Sequence, residues 1–449
     1  MPAPSSTLKA VRGTRDLLPP ETALWARIEA TARNVFSRYG FGEIRTPIFE
    51  ATELFARGVG EETDIVSKEM YTWEDRARAA SEKAQSLTLR PENTAGVVRA
   101  YIEHKLGETG QLQKLFYIGP QFRRERPQRG RYRQFWQIGC EVLGPPSSGS
   151  ESPVRDAEVL EMLASLLDEL GVRNWNLQLN SVGSSEDRKR YNAALREALA
   201  PVKHQLNEDN QRRAETNPLR VLDSKDPADQ AIIETLPKIA DYLDDDSRAH
   251  FSAVLSALDA CGVPYTVNPR LVRGLDYYTR TTFEFTIPDG SGLGTQNALL
   301  GGGRYDGLSE MLGGPKAPGI GFAIGEDRLV LTLQAQAEAD RPASESGVPH
   351  LDSEMWVNKL DAYIAPMGPE RNAAALALAR ELRRAGLSVE VGDGTFRLKK
   401  SFEAADRAAR HIVILGEDEL ASGTATVKTF ATGEQAKIDR AKLADLLRQ

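Results

Sequence analysis

The sequence predicts an α+β chain: a sheet-based core in two segments, a helical stretch set between them, and a small α/β domain at the end. Three observations carry this. Residues 114–144 read as two strand-like segments joined by an arginine-rich turn. Residues 184–260 are charged and helix-patterned, and glycine- and aromatic-rich segments flank them. Beyond a stretch rich in Ala, Glu, Ser, Pro and Asp, residues 358–449 alternate between strand and helix patterns. A chain of 449 residues is expected to hold two to four domains. The expected boundaries are 1–183 and 261–333 for the two core segments, 184–260 for the insertion, 334–357 for a linker and 358–449 for the last domain.

The first helix is expected to start near Pro20 and Glu21. Leu24, Trp25, Ile28, Ala32, Val35 and Phe36 follow at helical spacing, and Gly40 is a natural stop. Residues 43–47 read as a strand ending at Pro47, which belongs at a sheet edge or a subunit contact. Residues 58–76 look like loops with short elements. Residues 87–90 then form a strand leading to a helix start, with Asn93 or Thr94 as the expected cap. Glu92 at that helix end suits either dipole stabilisation or a ligand role.

Residues 121–133 hold six arginines against one glutamate, with Pro-Gln-Arg-Gly at the tip. Guanidinium forks match phosphate geometry, although the same composition fits a solvated surface loop. The second strand alternates. Phe135, Gln137, Gly139 and Glu141 share one face, and Trp136, Ile138, Cys140 and Val142 the other. The latter is a core face. The former sets an aromatic, an amide and a carboxylate in a row, with a glycine leaving room, and suits a small polar ligand.

A helix over 158–170 and a strand over 175–180 precede the insertion. A strand over 282–287 follows it, then Gly301-Gly302-Gly303, which fits either close approach to a ligand or a tight turn. The GIGFAIG run at 319–325 leads into a helix but lacks the βαβ setting of a dinucleotide fingerprint. The last domain is expected to end in a helix over 437–448. It holds fifteen Lys/Arg against thirteen Asp/Glu, with its most basic patch at 396–400.

With 41% hydrophobic and 27% charged residues, the composition is that of a soluble globular protein. A net charge of −7 confines nucleic-acid contact to local basic patches, the densest at 123–133. Two cysteines indicate neither a disulfide framework nor a cysteine zinc site, and no metal-ligand set stands out. No run approaches the roughly 20 apolar residues of a membrane span, and the amino terminus has no apolar leader. A cytoplasmic location is expected.

Several segments together resemble the class II aminoacyl-tRNA synthetases, and within them the histidyl-tRNA synthetase family. GFGEIRTPIFE at 40–50 is similar to the dimer-forming motif 1, FRRERPQRGRYRQFWQIGCEVLG at 122–144 to motif 2 and PGIGFAIGEDRL at 318–329 to motif 3. LVRGLDYYTRTTFEF and GGGRYDGL resemble the pair of histidine-specific signatures, and LTLRPENTAGVVRAYIE the stretch that meets the substrate ammonium. The family commonly has a small or apolar residue where this chain has Asn93. The rivals are a synthetase-like regulatory subunit of ATP phosphoribosyltransferase, expected to lack the last domain, and another class II specificity, which the signature pair disfavours. Faint echoes of class I signatures at 104–107 and 398–401 lack that class's context.

The resemblance implies an antiparallel sheet flanked by helices, with a helical insertion and a C-terminal anticodon-binding domain. It implies ATP-dependent ligation of L-histidine to its tRNA, with Mg²⁺, through an adenylate, by a homodimer. It places Phe135 on adenine, Arg123 and the catalytic Arg273 at the α-phosphate, and Arg328 at the γ-phosphate. Glu92, Thr94 and Gln137 would hold the ammonium. Glu141, Tyr278 and Tyr305, with Tyr277 beside them, would surround the imidazole. Arg126 and Gln128 at the hairpin tip would meet the tRNA acceptor end and its extra 5′ nucleotide. No general base for acyl transfer is evident.

Overall fold

The computed structural model describes residues 8–60, 63–75, 84–224, 226–288, 293, 297–340 and 359–448. The chain divides into two compact units, Met1–Leu17 with Leu24–Val348, and Leu18–Ala23 with Pro349–Gln449.

The larger unit opens with α1 (Glu21–Arg38), and the six apolar residues spaced for a helix face are the six it buries. The strand expected over 43–47 is shorter, β1 (Gly42–Glu43). Next come β2 (Phe49–Ala51), α2 (Thr52–Val59), a π-helical turn at Ile65–Glu69, β3 (Tyr71–Asp75) and β4 (Gln85–Leu89). Helix α3 (Thr94–Glu103) follows, then the hairpin strands β5 (Gln113–Phe122) and β6 (Gln134–Leu143), α4 (Pro153–Leu170) and β7 (Asn176–Ser181). The charged stretch forms α5 (Ser185–Leu199), α6 (Glu208–Thr216), α7 (Pro227–Ile233) and α8 (Asp245–Cys261) around a small apolar core that includes Tyr191, Leu195, Val221 and Ile233. The unit closes with β8 (Tyr265–Val267), β9 (Thr279–Thr286), β10 (Ala298–Arg304), α9 (Leu308–Met311), β11 (Gly319–Gly325) and α10 (Glu326–Ala339).

Eight strands form one sheet in the order β1-β5-β6-β11-β10-β9-β7-β8. The six inner strands pair antiparallel, while the edge strands β1 and β8 pair parallel. The segment ending at Pro47 therefore lies at the border, where a residue without an N–H is tolerated. A second, three-stranded sheet has the order β2-β4-β3.

Two expectations are corrected here, and one reading that was open between close approach and a turn is decided. Neither Asn93 nor Thr94 caps α3 with its side chain; the Glu92 carboxylate accepts the Thr94 and Ala95 N–H groups at 2.8 and 3.0 Å. A carboxylate serves two of a helix's orphan donors at once and complements the dipole. The three glycines lie inside β10, not in a turn. Helix α10 runs through Ala339 into the expected linker, because the Gln334–Ala339 stretch is made of strong helix formers; the rest of that linker, 341–357, lies outside the described residues.

The smaller unit carries β12 (Leu360–Pro366), α11 (Asn372–Arg384), β13 (Val389–Val391), α12 (Leu398–Ala408), β14 (Ala409–Leu415), α13 (Glu417–Ser422), β15 (Thr424–Thr429), β16 (Gln435–Asp439) and α14 (Leu443–Leu447). Its sheet has the order β13-β12-β14-β15-β16. The expected final helix is instead a strand followed by short helical turns. Gly433 at φ 75° turns the chain, and β16 pairs antiparallel with β15 as a mostly exposed edge. An edge strand buries too little apolar surface to leave a pattern in the sequence.

Candidate active site

One cleft in the larger unit is lined by Glu92, Thr94, Arg123, Phe135, Gln137, Arg273, Tyr277, Tyr278, Tyr305 and Arg328, from six separate segments. Glu141 lies buried at one end. The polar face deduced from alternation along β6 is thus the floor of the cleft, while Ile138, Cys140 and Val142 point into the core. Trp136 packs edge-on against Trp25 with ring centroids 5.9 Å apart.

Glycines make the floor passable. A Cβ at Gly321, the register partner of Glu141, would overlap the Glu141 carboxylate, and one at Gly301 would overlap the Arg273 guanidinium. The glycine-rich runs of β10 and β11 are therefore places where charged side chains lie flat on the sheet.

At the buried end, Thr94 Oγ1 and Tyr305 Oη each donate to the Glu141 carboxylate at 2.6 Å. The rings of Tyr277 and Tyr278 stand 4.7 Å apart, and those of Tyr277 and Tyr305 5.9 Å apart. Burial pushes the Glu141 carboxyl up to about 8, against the pull of its two hydroxyl donors, and the nearby charge of Glu92 adds to the rise. Burial also raises Glu92, whose bonds to the helix amides oppose it, and pushes Tyr278 up to about 12. The side-chain amide oxygen of Gln137 is buried and has no hydrogen-bond partner among the described residues. An acceptor left in this way costs free energy until a donor arrives.

The other end is cationic. Arg123 donates to the Pro91 carbonyl at 2.9 Å and sits 5.3 Å from the Phe135 ring centroid. Arg273 is paired with Glu284. Burial works against its charge, yet that carboxylate holds it above its ordinary value. Arg328 donates to the Ala298 carbonyl, and burial, followed by the neighbouring Arg131, lowers it. Glu125 faces Arg131 at 3.2 Å and Arg123 at 3.8 Å.

Arg126 and Gln128 do not line the cleft. They are exposed at the hairpin tip, where Gln128 and Arg131 exchange backbone hydrogen bonds of 3.1 and 2.9 Å. The hairpin is braced by the amino-terminal segment: Arg133 N–H donates to the Gly13 carbonyl at 2.7 Å, and Arg15 bonds Asp327 at 3.0 Å while stacking on Tyr132. Sequence reading missed Tyr117, Glu284 and Asp327 among the lining residues. Glu284 did leave a signal, as the lone acid inside the apolar run Phe283–Ile287, and Tyr117 pairs in register with Gly139.

Comparison with known proteins bears on this geometry. The sequence profile of histidyl-tRNA synthetase matches residues 13–329, and that of an anticodon binding domain residues 361–449. The chain belongs to the histidyl-tRNA synthetase family. It is 68% identical to a histidine–tRNA ligase of Koribacter versatilis, covering 98% of this chain and 96% of that protein. To a histidine–tRNA ligase of Solibacter usitatus it is 53% identical, covering 97% and 98%. Among solved structures, apo histidyl-tRNA synthetase of S. aureus superposes with a TM-score of 0.77 at 38% identity, covering 99% of this chain and all of the other. Within a histidyl-tRNA synthetase, a cleft with one buried polar end and one cationic end has the form needed for an amino acid beside a nucleotide.

Proposed function

We propose that this chain ligates L-histidine to its cognate tRNA through a histidyl-adenylate, releasing AMP and pyrophosphate. The observation that carries this is the pairing, in one cleft of a family member, of the buried Glu141–Thr94–Tyr305 cluster with three arginines around Phe135. An imidazole has two ring nitrogens to satisfy, and a carboxyl among phenols offers both donors and acceptors. Glu92, Thr94 and the Gln137 amide oxygen hold the ammonium. Phe135 stacks on adenine, and Arg328 takes the γ-phosphate. The histidine carboxylate then attacks the α-phosphorus in line, and pyrophosphate leaves. Arg123 and Arg273 neutralise the charge that develops, a reaction that needs positioning and electrostatics more than a protein nucleophile. Next, the 3′-terminal ribose hydroxyl of the tRNA attacks the acyl carbon, and AMP leaves.

Mg²⁺ arrives with ATP. An ion of this kind is usually held by phosphates, water and one or two carboxylates. Glu125 and Glu284 are the carboxylates beside the arginines that would hold the ion, which would supply further charge neutralisation there. In this reading 1–183 and 261–333 form the catalytic core, 184–260 approaches the acceptor arm, the chain beyond α10 up to 357 links, and 358–449 meets the anticodon. Arg126 and Gln128 are exposed where the acceptor end would arrive. The chain acts as a cytoplasmic homodimer through the 40–50 segment. Support comes from Ile48, Phe49 and Trp73, which are 45%, 53% and 40% exposed and so offer an apolar patch to a second copy.

The test is amino-acid-dependent exchange of pyrophosphate into ATP with each of the twenty amino acids. Exchange with histidine alone is expected. Silence with all twenty, or exchange with another amino acid, overturns the reading.

A further inference from the structure

Alternation along β10 puts Gly301, Gly303 and then Tyr305 on the cleft side and Arg304 on the other. Arg304 and Asp156 are both fully buried there. Arg304 Nε lies 3.1 and 3.2 Å from the two carboxylate oxygens of Asp156, and Nη2 donates to the same group. Nη1 donates to the Ser150 carbonyl and to Asp306, each at 3.0 Å. Asp156 also accepts from His250, with Nε2 at 2.8 Å. The other ring nitrogen of His250 is 3.4 Å from Arg280 Nη1. Arginine can only donate, so Nδ1 is the acceptor and Nε2 carries the hydrogen bonded to Asp156. Arg280 Nε stands 3.8 Å from Asp306 and closes the circuit. Five side chains, two acids, two arginines and a neutral histidine, thus form a hydrogen-bonded and ion-paired ring that joins α4, α8, the start of β9 and the end of β10.

Holding helices against a sheet does not require such a ring. Apolar residues of similar volume do so as well or better, because buried charges lose hydration. What a ring of hydrogen-bonded charges adds is direction. Arg304 immediately precedes Tyr305, and Arg280 lies two residues after Tyr278. Arg280 has φ 48°, a left-handed conformation that an L side chain rarely adopts without being held. The Asp306 N–H donates to Thr279 Oγ1 at 3.1 Å and ties the two segments to each other.

We propose that the Asp156–Arg304–Asp306–Arg280–His250 ring is a positioning device that sets Tyr278 and Tyr305 from behind the sheet and so fixes the histidine end of the cleft. This rests on the functional reading above. The ring residues touch neither substrate, so they act on histidine binding and leave the nucleotide end alone.

The test compares the wild type with Asp156→Asn, His250→Gln, Arg304→Lys and the apolar pair Asp156→Leu with Arg304→Met, by pyrophosphate exchange and thermal unfolding. The histidine KM is expected to rise about tenfold or more while the ATP KM stays within about twofold, since small displacements of binding groups are costly. Arg304→Lys keeps the charge without the fork and should fall between the wild type and the apolar pair. The apolar pair is expected to fold as well as the wild type and still lose histidine affinity, which separates positioning from stability. An unchanged histidine KM in that folded pair overturns the ring's role, as does a parallel rise of both KM values. Absence of histidine-dependent exchange in the wild type overturns the functional reading, and this proposal with it.

Discussion

In the smaller unit the centre of the sheet is hydrocarbon, with Ala362, Ile364, Val413 and Val427 packed against Leu378 and Leu382. In the larger unit buried carboxyls stand among the apolar residues: Glu141 on the sheet, Glu92 ahead of α3 and Glu326 where α10 begins. Their acids are displaced in opposite directions. Burial raises Glu141 to about 8 and Glu326 to about 9. In the smaller unit, hydroxyl donors on Thr395 and Thr426 hold Asp393 and Glu419 low. Asp361 is partly buried, which works the other way, yet Ser388 and Arg410 hold it low as well. The sign of each contribution to stability follows. A raised carboxyl keeps a proton that the unfolded chain has released, so the larger unit loses stability as pH climbs from the ordinary 4.5 towards 8 and 9. A lowered carboxyl contributes stability above its ordinary value that is lost as pH falls. Asp156 follows the second rule inside the larger unit: burial pushes it up, but Arg304 and His250 bring it to about 2. Burial thus raises Glu141 and Glu326 and, despite its bond to Arg15, Asp327, whereas Arg304 and His250 outweigh it at Asp156.

The strongest test of this contrast is at the cleft's charges. Arg273→Ala is expected to slow histidine-dependent pyrophosphate exchange about 10²–10³-fold, the usual cost of removing one transition-state donor. Glu141→Gln is expected to lower kcat/KM for histidine about 100-fold or more, because a site built around a hydrogen-bonded substrate loses its discrimination with the partner. The same change should raise the thermal midpoint at pH 8 by about 2–4 °C, since a neutral amide removes the buried charge. A Glu141→Gln protein that unfolds sooner at pH 8 would break the comparison.

Much of this contrast was legible in the sequence. The alternation at 135–142 separated the cleft's floor from the core, because a strand's two faces have a fixed period. The six buried residues of α1 were legible for the same reason at helical period. What stayed hidden was produced by tertiary contact. Glu284 is largely buried beside Arg273, which is 11 residues earlier in the chain, and no spacing rule links them. The Asp156–Arg304 pair spans 148 residues. Edge strand β16 was read as a helix because its polar, exposed residues carry no periodic burial. The glycines of β10 were ambiguous since tight turns and close side-chain approach ask for the same missing Cβ.

A smaller effect is expected at Glu326. Both of its carboxylate oxygens are buried without a hydrogen-bond partner among the described residues, and after burial the charge of Glu29 adds most to its rise. Glu326 does not line the cleft. Glu326→Gln should therefore raise the thermal midpoint by about 2 °C at pH 8 and leave it nearly unchanged at pH 5, with exchange activity retained. A gain of the same size at pH 5 would mean that packing, not charge, limits this position.

Asp361 is the counterpart in the smaller unit, and its effect should be the least. Its carboxylate accepts from Ser388 N–H at 2.7 Å, Ser388 Oγ at 2.9 Å and Arg410 at 2.6 Å, but it stands near the surface. Solvent already satisfies such a group, so Asp361→Asn should cost at most about 1 kcal/mol. Hydrogen exchange of β12 and β13 within the whole chain at pH 7 reports it without interference from the larger unit. The difference from the wild type should shrink as pH falls below the ordinary 3.8, because protonation then removes the wild type's charge and leaves the position neutral in both proteins. If the difference grew on acidification, this carboxylate would be behaving like Glu141, and the division between buried acids that lack sufficient partners and acids held low by theirs would not hold.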